Sequence, residues 1–140
     1  MRVWRWIVGT LIALYALQGL LAVVTTTGLK FGWVAGTGAT QRLLPLAEAT
    51  SALQLAAWWA AIVLFFVCAW RVVHRQRTLT LYGVAFVLDI GNWVIAKLGG
   101  IYDRIFTTAE LKFDYVLLAI LLMLGATIWF LESTPNKARA

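Results

Sequence analysis

Four runs of mostly apolar residues, Trp6 to Val24, Leu55 to Trp70, Leu79 to Ala96 and Tyr115 to Leu131, are set apart by short polar stretches. A helix needs roughly 17 to 25 such residues to cross a hydrocarbon core. Each run therefore predicts a transmembrane helix, and together they predict an all-α membrane protein, a four-transmembrane-helix bundle forming a single domain over residues 1–140. The second and fourth runs are the shortest, and both have helical extensions. Pro45 suits a first helical turn and leads into LAEATSALQ, while Thr107 with Glu110 three residues later matches a capping box.

Orientation follows from Lys and Arg, which are enriched in short cytoplasmic loops. Arg2, Arg5, Arg71, Arg75, Arg77, Lys137 and Arg139 fall at one end, against Lys30, Arg42, Lys97, Arg104 and Lys112 at the other. The loop from Arg71 to Arg77 holds no acid, whereas the second loop at the opposite end carries Asp103, Glu110 and Asp114. These features predict both termini inside. Tryptophan prefers either interface, and this topology gives two belts: Trp4, Trp6, Trp70 and Trp129 inside, with Trp33, Trp58, Trp59 and Trp93 outside or in the outer half.

Composition agrees with a membrane protein, since 62% of residues are hydrophobic and only 13% charged. The net charge of +6 does not point to nucleic acid, because the basic residues sit between apolar runs rather than on one face among polar or aromatic readers. Arg2 and Arg5 ahead of an apolar run resemble a secretory signal. That run is about twenty residues long and ends in Thr25, Thr26 and Thr27 without a small-residue cleavage site, so it is expected to remain as the first span. The expected location is a bacterial inner (plasma) membrane.

Few residues offer chemistry. Cys68 stands alone in an apolar run and excludes an internal disulfide, and the single histidine, His74, lies between Arg71 and Arg75, where no histidine pair can hold haem or metal. Ser51 and Ser133 have no base nearby in sequence. The stretch VAGTGAT between the first two spans lacks the preceding strand and the later glycine of a nucleotide-binding turn and is expected to be a surface loop. No catalytic residue, metal site or cofactor ligand set is evident.

Asp89 is the exception, near the middle of the third run, where a carboxylate is costly unless paired or protonated. Asn92 and Tyr82 share its helical face, and so does Lys97, which lies roughly 12 Å further along and is expected to reach the outer surface with its long stem. At 1.5 Å per residue, Tyr15 and Asp89 lie roughly 13 to 15 Å deep and Gln18 and Asn92 roughly 18 to 20 Å. Two polar rungs, Tyr15 with Asp89 and Gln18 with Asn92, are thus expected between adjacent first and third helices. Such a seam is either interhelical glue, worth roughly 0.6 to 2 kcal/mol per hydrogen bond, or a proton or ion site, or a contact with a partner subunit or cofactor.

Ala56, Ala57, Ala60 and Ala61 form small-residue pairs suited to close helix packing, and the fourth run, with only Thr127 polar, reads as a lipid-facing or partner-facing helix. The expected partners are the lipid bilayer and other membrane subunits or further copies of the chain. The resulting expectation is an accessory, assembly or structural subunit of a larger membrane complex. A small ion- or solute-transporting protein using Asp89 is the competing reading, and it requires water to reach that residue.

Overall fold

The computed structural model describes residues 2–134, so Lys137 and Arg139 of the charge count lie outside the described residues. Every regular element is helical: α1 (Arg2–Phe31), α2 (Leu44–Ala49), α3 (Ala52–Val73), α4 (Leu79–Leu98), α5 (Ile101–Ile105) and α6 (Thr108–Ser133), with a 3-10 turn over Gly38–Leu43. Four of these, α1, α3, α4 and α6, are long and apolar enough to cross a membrane. The chain is an all-helical, multi-pass bundle.

The first helix runs past its expected end at Val24 because the threonines do not break it. The hydroxyls of Thr25 and Thr26 donate to the carbonyls of Leu21 and Ala22, each at 2.8 Å, so their polarity is satisfied within the helix. Gly32, at φ 79°, ends α1, with the Trp33 amide returning to the Gly28 carbonyl at 2.8 Å.

The expected extension from Pro45 into the second span is two helices. Pro45 does lie in the first turn of α2, but Thr50 and Ser51 are extended and α3 starts afresh. Ser51 caps it reciprocally with Gln54, accepting from the Gln54 amide at 3.1 Å while its own amide donates to Gln54 Oε1 at 2.8 Å. The Thr107–Glu110 capping box opens α6 as the spacing predicts. An unforeseen cap opens α4, where Glu132 of α6 accepts from the amides of Thr78 and Leu79.

Consecutive long helices pack side by side. α1 contacts α3 and α6, and α4 contacts the same two, which leaves α1 and α4 across the diagonal rather than adjacent. Phe65 of α3 fills the centre, fully buried and edge-on to Tyr15 at 5.2 Å and to Tyr82 at 5.7 Å. Glycines of α1 set the α1–α3 approach. A Cβ on Gly9 would meet the Ala69 carbonyl oxygen at 3.1 Å and the Val73 side chain at 2.6 Å, and one on Gly19 would strike Ile62. Of the alanines, Ala61 is buried and Ala57 half-buried, while Ala56 and Ala60 face outward. The fourth span is no purely outer helix either, since Leu121, Leu124, Ile128 and Leu131 enter the core. The least covered span is α4.

The two ends differ. At the terminal end Arg5 ties α1 to the carbonyls of Val72 and Leu131, and Trp4, Trp6, Trp70 and Trp129 are exposed around it. At the other end α2 and α5 touch each other above the bundle. There only Trp33 is exposed among the expected belt, because Trp58, Trp59 and Trp93 turn partly inward.

Candidate functional site

The side chains turned inward at the α2–α5 end surround a cavity of about 160 Å³. Asp89, eleventh residue of α4, lies in its wall and accepts the hydroxyl proton of Tyr15 from α1. Both retain partial exposure, so the pair is not sealed in the core. The second carboxyl oxygen, Oδ1, has no hydrogen bond among the described residues and is not a fully buried atom. It is available to whatever enters.

The second expected rung does not form. Asn92 Nδ2 donates instead to the Gln54 carbonyl at 3.1 Å, tying α4 to the start of α3. Equal depth placed Gln18 and Asn92 level, but α1 and α4 lie on the diagonal, and the adjacent helix α3 takes the amide. Gln18 lines the same cavity without reaching Asn92. Tyr82 is buried and bonds to neither member of the pair; it donates to the Leu121 carbonyl at 2.6 Å and so joins α4 to α6.

The rest of the wall was not legible as a site. Gln54, Trp58 and Ile62 form one face of α3, and Asp114, Leu117, Leu118 and Leu121 one face of α6, both at helical spacing, so an acid at the end of an apolar face was the available signal. Trp93 Nε1 donates to Asp114 at 3.4 Å, and its ring meets Tyr115 edge-on at 5.6 Å. Lys97 places its ammonium over these two rings, 5.3 Å and 4.8 Å from their centroids. Tyr102 of α5 also lines the cavity; burial, with Asp114 and Asp89 nearby, pushes its phenol up to about 12 and keeps it a neutral donor at neutral pH. Its placement depends on Gly100, at φ 74°, which turns the chain from α4 into α5.

None of the described lining residues is Lys, Arg or His, and the carboxyls of Asp89 and Asp114 are its acids. The wall therefore offers carboxyl and amide acceptors, amide and hydroxyl donors and aromatic faces, and no basic side chain among its described residues. The other sequence candidates lie elsewhere. His74 stacks on Trp70 at 3.9 Å on the exposed surface, Cys68 is buried in the core, and Ser51 is a helix cap. No group of three or more His, Cys, Asp or Glu side chains suited to a metal occurs among the described residues.

In comparisons with protein-family models, curated proteins and solved structures, the chain matches none.

Proposed function

We propose that this chain is a small solute-transporting protein of a bacterial inner (plasma) membrane, taking its solute into the cavity beside Tyr15 and Asp89. The observation that carries the reading is the partial exposure of the Asp89 carboxyl within a cavity of about 160 Å³. An intramembrane acid that served only as glue would be expected in packed protein, whereas one that borders a cavity has room for a ligand beside it. The charge asymmetry of the loops supports cytoplasmic termini, which would put α2, α5 and the cavity in the outer half of the membrane. Solute would then enter from outside.

The test is uptake by proteoliposomes of four probes, benzylammonium, benzoate, glucose and potassium, with wild type and Asp89→Asn. Uptake of at least one probe by wild type, abolished in Asp89→Asn, is the expected result. No uptake of any probe would count against transport.

The reading as an accessory or structural subunit is favoured by a separate observation on α4. Gly83 and Gly91 have open space where a side chain would stand, and Val87 between them is 67% exposed, on the least covered of the four spans. Such a face lets another helix approach closely. If it is a subunit contact, Gly83→Leu and Gly91→Leu will release co-purifying chains or convert an oligomer to monomer in mild detergent.

A further inference from the structure

We infer that the cavity binds a small organic ammonium ion, a monocation with N–H donors and an apolar body about the size of one aromatic ring. This assignment rests on the reading of the cavity as a solute site and supplies the class of solute. The first argument is charge. Asp89 faces the space with no basic side chain among the described lining residues, so an anion would meet like charge and a neutral solute would leave an ionised Asp89 without a counter-charge in low dielectric.

The second argument sets an organic ammonium apart from a divalent metal ion. A calcium ion takes roughly 6 to 8 oxygen ligands, and no cluster of three acidic, His or Cys side chains is present among the described residues to begin such a shell. A primary ammonium needs only a few acceptors. Asp89 Oδ1 is unpartnered among the described residues, and Gln18 and Asn92, whose amides each carry an acceptor oxygen, line the same space.

The third argument is the remainder of the wall. Trp58, Trp93 and Tyr102 give aromatic surface that favours a cation, and Ile62 and Ile90 give aliphatic surface for a hydrocarbon body. Size agrees. An engineered apolar cavity of about 150 Å³ holds benzene, so about 160 Å³ gives room for one ring or a short alkyl chain. Lys97, held on the rings of Trp93 and Tyr115, does not line the cavity but acts on the charge of Asp114, so the missing counter-charge is at Asp89.

The experiment is titration calorimetry of the whole chain in lipid nanodiscs, with empty nanodiscs subtracted to remove partition into lipid. The probes are benzylammonium, benzyl alcohol and benzoate at neutral pH, which share a ring and differ in charge. Saturable binding of benzylammonium, at least tenfold tighter than of benzyl alcohol and with no binding of benzoate, is expected. Asp89→Asn should weaken benzylammonium at least tenfold and benzyl alcohol far less, so that the preference for charge is lost. Trp58→Leu provides a second reading if Asp89→Asn does not fold: it should weaken benzylammonium severalfold with the preference for charge retained. Equal affinity for the alcohol and the ammonium, tight binding of benzoate, or affinity unchanged in the folded variants would overturn the assignment. Binding without uptake in proteoliposomes would retain the ligand class and remove transport, whereas Asp89-dependent uptake of glucose or potassium without benzylammonium binding would do the reverse.

Discussion

The Tyr15 hydroxyl donates to the carboxyl of Asp89 across 74 residues of sequence, joining α1 to α4 although these helices do not pack side by side. Phe65 lies against the Tyr15 ring at 5.2 Å, so the aromatic core fixes the tyrosine while its hydroxyl reaches the cavity. The pair therefore couples the bundle's packing to this polar interior space.

A double-mutant cycle measures that coupling. Tyr15→Phe removes the donor with little change of volume, and Asp89→Leu removes the acceptor. The interaction energy should be about 0.6 to 2 kcal/mol, the range for hydrogen bonds between membrane helices, read from unfolding equilibria in detergent or bilayer. Additive losses would mean that the bond contributes nothing to stability. Gln18→Leu with Asn92→Leu should be additive, because Asn92 is bonded to Gln54 instead.

Close packing of α1 on α3 depends on Gly9 more than on the outward alanines. Gly9→Leu must displace the backbone around Ala69 or move the helices apart, whereas Ala56→Leu and Ala60→Leu project outward. Overpacking of this kind costs about 1 to 3 kcal/mol. The thermal midpoint in detergent should fall clearly for Gly9→Leu and remain near wild type for the two alanine variants; the reverse order would contradict the described interface.

These cases also mark what the sequence could and could not specify. Hydropathy and length located four spans because a bilayer imposes one requirement on every residue of a run. The Thr107–Glu110 cap was legible because it is local. Helix adjacency was not: depth along a helix gives height but not azimuth, so Tyr15 and Asp89 were level in sequence whether neighbours or diagonal. The inward turn of Trp58 and Trp93 was hidden for a related reason, since an interfacial tryptophan and a cavity tryptophan occupy the same depth. Small residues likewise signal close approach without naming the partner: Gly9 and Gly19 meet α3 closely, and of the alanines Ala57 and Ala61 turn inward while Ala56 and Ala60 do not.

Orientation is tested independently of packing. In a Cys68→Ala background, cysteines at Gly36 and Thr107 should react with an impermeant thiol reagent in intact cells, while one at Gln76 should react only after the membrane is opened. The basis is the positive-inside bias and the acid-free loop from Arg71 to Arg77. Labelling of Gln76 from outside would invert the topology and put the cavity in the inner half.

The last prediction concerns the α2–α5 end. Arg42, at the close of the 3-10 turn, pairs with Glu110, donates to the Ile105 carbonyl at 3.1 Å and lies 5.5 Å from the Phe106 ring centroid, so one guanidinium links the segment before α2 to the segment after α5. Both partners of the ion pair are exposed, at 49% and 40%, and an exposed pair is worth about 0 to 1 kcal/mol. Loss of the pair should therefore affect local opening much more than global stability. Glu110→Gln is the suitable variant, because glutamine can replace glutamate in the capping box with Thr107 while the charge is removed. Arg42→Gln removes the same pair from the other side but also loses the Ile105 and Phe106 contacts, so its effect should be larger. Hydrogen exchange in nanodiscs should show faster exchange over α5 for both variants, greater for Arg42→Gln, with the thermal midpoint nearly unchanged. Raising the ionic strength should speed exchange in wild type toward the Glu110→Gln rate, because salt screens an exposed pair. Exchange over α5 that is unchanged in both variants would show that contacts between α2 and α5 hold this end without Arg42.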